Sequence, residues 1–505
     1  MRDRPATTPR RRLTDLVAAA GASGLGPAPG SDVDVTGLAL GSGQVVPGDA
    51  FAALPGARAH GARFAADAVA AGAVAVITDA EGAATLAEDS GTAGVPVVVL
   101  DDPRADLGRL SAELYDHPTR SFTTLGVTGT QGKTTTTYLG EAAAGQPAAV
   151  VGTIGTRILG RPVASALTTP EAPQLQALFA VMREEGVRTC AMEVSSHALV
   201  KRRVDGFAFD VGVFLNLGRD HLDFHRDLDD YFDAKAQLFT PAHARRGVVN
   251  VDDAFGRRLV DRSDVPVTTF STEGSAADWR AVNVRSHRLG SELQLVGPDG
   301  SAIDVTVPLP GAFNVSNAVA VLVALAGEGR DLAELAAGLA ALPGVPGRME
   351  HVEAGQDFTV VVDYAHKPDA VTAVLRALRP VTAGRLIVVI GAGGDRDAGK
   401  RPVMGALAAE LADVVVVTDD NPRSEDPARI RRAVLDGTVG QPAETIEIGD
   451  RGEAIAHAVS MARRGDTVVV AGKGHESGQE IDGVVHPFDD RDVVRSVLEG
   501  RVESP

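Results

Sequence analysis

Short runs of valine, isoleucine, leucine and alanine, apolar at successive rather than alternate positions, recur along most of this chain. They include Val74–Thr78, Val97–Leu100, Cys190–Val194, Asp210–Leu215 and Gly247–Val251, then Thr359–Tyr364, Leu386–Ile390, Asp413–Thr418 and Thr467–Ala471. Successive strand residues point to opposite faces of a sheet, so a run apolar at every position must be covered on both sides. Ala/Leu-rich helical stretches separate the runs, and the class predicted is α/β, with mostly parallel sheets between helical layers. At 505 residues the chain is too long for one ordinary core. Breaks at His117-Pro118-Thr119-Arg120 and at Leu342-Pro343-Gly344-Val345-Pro346-Gly347 divide it into three domains, 1–117, 118–345 and 346–505.

Aromatic residues are only 4% of the chain, so the cores have to be built from aliphatic side chains. Lys and Arg number 49 against 67 Asp and Glu, a formal charge of −18. That balance excludes nucleic acid and anionic membrane as general partners, since both need a basic surface. Cys190 is the sole cysteine, so no internal disulfide can form, as suits a reducing cytoplasm. Arg10, Arg11 and Arg12 lack the apolar stretch that an export signal needs after them, and read as a ragged basic tail. The longest apolar runs, Ala68–Thr78 and Ala318–Gly327, fall short of the ~18 residues of a membrane span. The expectation is a soluble, cytoplasmic monomer without membrane insertion, acting on small molecules.

Between a predicted strand, Phe122–Val127, and a helix predicted from Lys133 to about Ala144 stands Gly126-Val127-Thr128-Gly129-Thr130-Gln131-Gly132-Lys133-Thr134. Glycines let a backbone fold tightly enough for successive N–H groups to face phosphate oxygens, and the helix N-terminus adds its positive end. Lys133 can reach the β- and γ-phosphates, and the Thr134 hydroxyl can ligate Mg²⁺. The generic pattern wants glycine at position 127; the chain has Val127 and fits the narrower T-G-T-x-G-K-T form. Gly129, Thr130, Gly132, Lys133, Thr134 and Thr135 are therefore the predicted ATP-binding loop.

Further motifs follow in order: Thr168-Thr169-Pro170-Glu171, Met192-Glu193-Val194-Ser195-Ser196-His197, Asn216-Leu217-Gly218-Arg219-Asp220-His221-Leu222-Asp223 and Tyr231-Phe232-Asp233-Ala234-Lys235. After them stand Gly311-Ala312-Phe313-Asn314-Val315-Ser316-Asn317, Gly347-Arg348-Met349-Glu350 and Asp363-Tyr364-Ala365-His366. The last are Gly393-Gly394-Asp395-Arg396, Asp420-Asn421-Pro422-Arg423 and Gly472-Lys473-Gly474-His475-Glu476. In this order and spacing they resemble the Mur ligases. The resemblance implies a small N-terminal UDP-substrate domain, a central P-loop ATPase domain and a C-terminal Rossmann-like domain that binds an amino acid. It implies that ATP phosphorylates a D-glutamyl side-chain carboxylate and that an amine then displaces phosphate to give an amide, in peptidoglycan synthesis. Bringing two anions together demands cations. Glu193, His221 and Thr134 match Mg²⁺ ligands, and Lys235 matches a lysine carried as a CO₂-derived carbamate (N6-carboxylysine) that ligates a second Mg²⁺. With Lys133 these form the implied catalytic set. Asn314 and Asn317 match residues that meet adenine, and Arg348 and Asp363 complete the ATP set. Ser42, Thr168, Thr169, Ser195, Ser196, Lys201, Arg203 and His366 match positions that face the UDP-linked substrate.

Within the family, Asp420-Asn421-Pro422-Arg423 is similar to the form found where the incoming amine is 2,6-diaminopimelate; lysine-adding members lack the arginine. A guanidinium grips a carboxylate bidentately, and diaminopimelate carries a distal carboxylate where lysine has none. Arg396, Gly472 and Glu476 match the rest of that pocket, which leaves the meso and LL isomers equivalent. Two departures stand out. The first domain reads Gly41-Ser42-Gly43 where the family carries D-S-R, and the stretch from Lys133 to Gly152 is short. They keep open a paralogue acting on another carboxyl substrate or amino acid, a folylpolyglutamate-type ligase among them, and a non-catalytic nucleotide-binding partner subunit. His221 and His225, four apart, form at most a weak zinc pattern.

Overall fold

The computed structural model describes residues 3–502 apart from 8, 23, 26–31, 57, 165 and 166, so the extreme ends of the first and third expected domains lie outside the described residues. By contact density the chain forms two compact units. One holds Met1–Phe270 with Ala320–Arg330, the other Ser271–Val319 with Asp331–Pro505.

The first unit contains two sheets. The smaller has the order Gly24–Leu25, Val97–Leu100, Ala75–Thr78, Asp49–Ala52, Gly37–Ala39, and is parallel apart from its first strand. Arg11–Arg12 are not a ragged tail. They pair with Asp34–Val35 and lead into helix Leu13–Ala19, whose Leu13, Leu16 and Val17 are buried at helical spacing under this sheet. In the larger sheet six strands run parallel in the order Ala148–Gly152, Thr189–Glu193, Thr123–Thr128, Phe209–Phe214, Ala244–Asn250, Val267–Ser271. Antiparallel strands Gly155–Ile158 and Arg161–Val163 extend its first edge. Thr189–Glu193, Thr123–Thr128 and Phe209–Phe214 are neighbours, so the loops leaving their C-terminal ends emerge side by side. In open α/β sheets that edge is where ligands bind.

The second unit has an antiparallel meander, Trp279–His287, Gly290–Val296 and Ala302–Val307. It also has a six-stranded sheet in the order Glu350–His351, Thr359–Asp363, Thr467–Ala471, Leu386–Ile390, Val414–Val417, Glu444–Glu447, parallel but for its short first strand. Here the reason for continuous apolar runs is visible residue by residue. Leu386, Val388 and Ile390 pack into one core under helices Pro368–Leu378, Lys400–Leu411 and Pro427–Thr438. Ile387 and Val389 pack into the other, under Arg451–Met461 and Asp490–Val502. No helix among the described residues is long and apolar enough to cross a membrane.

Candidate functional site

Thr123–Thr128 delivers the glycine-rich loop, and Gly132, at φ 89°, turns it into helix Lys133–Ala144. That left-handed φ suits glycine and is costly for a side chain. The Lys133 ammonium donates to the carbonyls of Gly129 at 2.7 Å and Thr130 at 3.2 Å. Lys235, on helix Leu228–Ala236 and only 1% exposed, donates to the same Gly129 carbonyl at 2.9 Å and lies 4.4 Å over the Tyr231 ring. Two ammonium groups thus share one acceptor. Thr134 and Thr135 are buried in the first helical turn. The loop is gripped from outside by Asn216, in the turn after Phe209–Phe214. Its Oδ1 accepts the N–H groups of Thr130 at 3.1 Å and Gln131 at 3.0 Å, and its Nδ2 donates to the Gln131 carbonyl at 3.2 Å. The Gly218 N–H donates to the Thr130 hydroxyl at 2.9 Å, which also contacts the Tyr231 hydroxyl at 3.3 Å. The motif containing Asn216 is plain in the sequence, but its grip on a loop 86 positions away is not.

Glu193 ends the neighbouring strand and is buried. Its carboxylate accepts the Thr153 N–H at 2.7 Å and the Thr153 hydroxyl at 3.2 Å, and no basic side chain pairs with it among the described residues. A buried carboxylate without a cation is costly unless something positive occupies the space beside it. The Thr168 hydroxyl lies 3.1 Å from that of Thr153, and the Thr169 hydroxyl donates to the Glu193 carbonyl at 2.8 Å and accepts the Ser195 N–H at 3.3 Å. Ser195 caps helix Ser196–Val200, accepting the Ala198 N–H at 3.1 Å. Arg203 pairs with Glu171 at 2.8 Å and donates to the Thr169 carbonyl at 3.3 Å. These contacts join Thr168, Thr169, Ser195, Arg203 and Glu193 in one chain. Lys201 stands outside it, exposed, 5.9 Å over the Phe224 ring. Ser42 lies apart in the N-terminal sheet region, opening the short 3-10 helix Ser42–Gln44.

His221 sits in a left-handed loop at φ 52°, its Nε2 3.3 Å from Asp220 and its ring edge-on to His197 at 4.9 Å. His221 and His225 close a single turn, the His225 N–H donating to the His221 carbonyl at 2.8 Å, and are not part of a helix. His225 is buried with both nitrogens engaged, by Ser196 at 2.9 Å and Asp230 at 3.2 Å, which removes it as a metal ligand partner for His221. Cys190 is buried in an apolar core shared by aliphatic and aromatic side chains, and burial pushes its thiol up to about 12.

The remaining sequence candidates belong to the second unit. Asn314 and Asn317, on helix Ala312–Ala326, are buried and linked by a 3.2 Å bond from Asn317 Nδ2 to Asn314 Oδ1; Asn314 Nδ2 donates to the Pro310 carbonyl at 2.8 Å. Asp363 ends its strand with both oxygens accepting backbone N–H groups, those of Met349 and Ala365, each at 2.8 Å; burial raises its pKa. Its carboxylate thereby fixes the turn that carries Arg348. The Arg348 guanidinium lies 4.5 Å over the Tyr364 ring and 3.3 Å from His475. Burial, with Arg348 and Arg491 adding to it, pushes His475 down to about 3. His366 is pushed down to about 4, by burial first and then by Lys367.

Asn421, Arg423 and Glu476 form one connected group. Asn421 Nδ2 donates to Glu476 at 2.9 Å. Arg423, in a left-handed conformation at φ 53°, donates from Nε to Glu480 at 3.2 Å and from Nη1 to the Gly394 carbonyl at 2.7 Å. Asp420 is buried, with one carboxylate oxygen lacking a hydrogen-bond partner among the described residues; a Cβ on Gly472 would stand 2.4 Å from that atom, so glycine is required there. The Pro422 carbonyl accepts the Glu425 N–H at 3.1 Å, closing the turn. Arg396 is exposed on the loop after Leu386–Ile390.

Comparison with known proteins identifies one family along the chain. The Mur ligase family catalytic domain matches residues 34–115, the Mur ligase middle domain 127–325, and the Mur ligase glutamate ligase domain 347–474. The UDP-N-acetylmuramoyl-L-alanyl-D-glutamate--2,6-diaminopimelate ligase of Streptomyces avermitilis is 52% identical over 503 residues, 98% of either chain. The UDP-N-acetylmuramyl-tripeptide synthetase of Leifsonia xyli is 47% identical over 505 residues, 98% of this chain and 97% of that one. A solved structure of a UDP-N-acetylmuramoyl-L-alanyl-D-glutamate--2,6-diaminopimelate ligase is 35% identical, covers 93% of this chain and 96% of its own, and superposes with a TM-score of 0.67. With full-length identity at this level, and a phosphate loop, buried carboxylate and buried lysine arranged as described, the chain belongs to the Mur ligase family.

Proposed function

We propose that the chain joins 2,6-diaminopimelate to the D-glutamyl side-chain carboxylate of UDP-N-acetylmuramoyl-L-alanyl-D-glutamate, forming ADP and phosphate through an acyl phosphate. The observation that carries this reading is the group Asn421–Arg423–Glu476. Asn421 bonds Glu476 directly and accepts the N–H of Glu480, the partner of Arg423, so a guanidinium and a carboxylate belong to one network, complementary to an amino acid bearing a distal ammonium and carboxylate. The names of the full-length relatives point the same way.

In this mechanism the substrate carboxylate oxygen attacks the γ-phosphorus of ATP while Lys133 and the loop N–H groups offset the gathered negative charge. The amine then attacks the acyl carbon and phosphate leaves with the original carboxylate oxygen. Asn314, Asn317, Arg348 and Asp363 are assigned to ATP. Ser42, Thr168, Thr169, Ser195, Ser196, Lys201, Arg203 and His366 are assigned to the UDP-linked substrate, and Arg396, Asp420, Asn421, Pro422, Arg423, Gly472 and Glu476 to diaminopimelate.

The donor chemistry around Glu193 fits a hard divalent cation: a buried carboxylate without a basic partner among the described residues, with Thr134 and His221 assigned beside it. When bound, Mg²⁺ supplies charge neutralisation between the reacting anions. Lys235 fits the carbamate reading for a similar reason. Its buried ammonium competes with Lys133 for one carbonyl, and carbamylation would replace that like-charge crowding with an attractive pair. The proposed setting is the cytoplasm, where ATP is available, and the proposed state is monomeric.

The test is phosphate release from ATP and Mg²⁺ with the UDP-dipeptide and meso-diaminopimelate, LL-diaminopimelate or lysine in parallel. Turnover dependent on a diaminopimelate isomer, with tripeptide product by mass, is expected. Turnover only with lysine, or with none of the three, would overturn the assignment.

A further inference from the structure

Lys473 carries no role in the reading above, yet its environment is unusual. It follows the strand Thr467–Ala471, its side chain is 0% exposed, and among the described residues its ammonium reaches two side chains: Asn421 Oδ1 at 2.9 Å and Glu476 Oε2 at 3.4 Å. Burying an ammonium is costly even after the surroundings relax, and an apolar side chain of similar volume is often no less stabilising. A charge kept at such a place, on two members of one pocket, has its effect in how those two residues are held.

The hydrogen bonds show how. Asn421 Oδ1 accepts from Lys473 and from the Glu480 N–H at 3.0 Å, so two donors converge on one atom of the amide. That atom must be the oxygen, and the amide nitrogen is thereby turned toward Glu476, which it meets at 2.9 Å. Glu476 in turn receives Asn421 and Lys473 on the same oxygen, Oε2. The Glu476 side chain also takes a hydrogen bond from Tyr364 and stays one-third exposed, so the carboxylate is anchored on Oε2 without being sealed off.

We propose that Lys473 is a positioning residue for amine selection: it fixes the amide of Asn421 and anchors Glu476 through one oxygen, so that the carboxylate is presented to the distal ammonium of the incoming amino acid. The proposal rests on the diaminopimelate pocket assigned above and goes one step behind it.

Lys473→Met removes the ammonium at similar volume; Lys473→Gln keeps a donor without the charge. Wild-type turnover is measured first on the three amines, which tests the pocket assignment by itself; if another amine is used, the variants are read on that amine. For Lys473→Met the KM for the amine is expected to rise ~10-fold or more, and for Lys473→Gln by less, from the usual worth of a charged hydrogen bond. The KM for ATP stays within ~2-fold, because the lysine does not act on the nucleotide. Combining Lys473→Met with Glu476→Gln is expected to cost little more than the worse single change, since one acts through the other. If Lys473→Met fails to fold, the Gln variant carries the test. An unchanged amine KM, equal rises for ATP and amine, full additivity in the double variant, or failure of both Lys473 variants to fold would each overturn the proposal.

Discussion

Replacing Asn216 by alanine isolates what holds the nucleotide loop in shape. The side chain makes three bonds to the loop: accepted N–H groups of Thr130 and Gln131 at 3.1 and 3.0 Å, and a donated bond to the Gln131 carbonyl at 3.2 Å. A typical net worth is ~1 kcal/mol each, and more only where the abandoned group is sealed from water. Two features reduce the sum. The Thr130 N–H keeps a second acceptor, the Asn216 main-chain carbonyl at 3.1 Å, and both loop residues are only half-buried, so water can reach the rest. About 2 kcal/mol remains, concentrated on the loop rather than on the core, which corresponds to ~30-fold weaker nucleotide binding. Calorimetric titration of the Asn216→Ala variant with Mg·ADP measures this directly, with a thermal melt expected to move by only a few degrees. Binding within ~2-fold of wild type would refute the reasoning, because the loop would then need no outside grip.

Other consequences follow from single contacts. Gly152→Ala places a methyl 2.3 Å from Glu193 Oε1, at a backbone conformation alanine can adopt, so the cost is steric and falls on the buried carboxylate. A stability loss of ~1–3 kcal/mol and a fall in kcat of ~100-fold are expected, by denaturant melt and phosphate release. Arg423→Lys removes the planar fork and the bond to Glu480, and should raise the KM for diaminopimelate while leaving that for ATP unchanged in the same steady-state assay. His366 and His475, held near 4 and 3 against an unfolded 6.5, stay neutral in the folded protein while the unfolded chain takes up protons below ~6.5. Their contribution is present above that value and is lost as pH falls toward ~4, by about 1–2 kcal/mol per histidine at pH 5. The thermal midpoint should therefore drop between pH 7 and 5, and less so in His366→Gln; a flat profile would contradict the assignment.

Much of the fold was legible because the signals were local. Leu386–Ile390 and Thr467–Ala471 are fully buried runs whose bounds match the strands, and the helix after the glycine-rich loop runs from Lys133 to Ala144 as its pattern implied. Elsewhere bounds moved by a residue or a few, as at Thr189–Glu193 and Ala244–Asn250, because the ladder and not the apolar run sets the ends. The meander over Trp279–Val307 was missed: Leu293 and Leu295 alternate with exposed or half-buried Glu292 and Gln294, a one-sided pattern broken by arginines and a register shift. Gly37–Ala39 is too short to register as a strand at all. At the candidate site, residue types were readable and their partners were not. Nothing near Asn216 in sequence points to Thr130, nothing near Lys473 points to Asn421, and the surroundings of Glu193 are a property of three strands at once. Asp363 adds a local role that its motif does not announce: each of its oxygens accepts a backbone N–H while keeping acceptor capacity for a ligand.

The central claim is that ATP activates the substrate carboxylate and that an amine then displaces phosphate. It is tested most directly by turning over UDP-dipeptide whose D-glutamyl side-chain carboxylate carries ¹⁸O at both oxygens, with diaminopimelate and unlabelled ATP, and reading the phosphate by mass. One ¹⁸O per phosphate released is the predicted result. Phosphate free of label, at normal turnover, would mean that water cleaves the ATP, and would contradict the account.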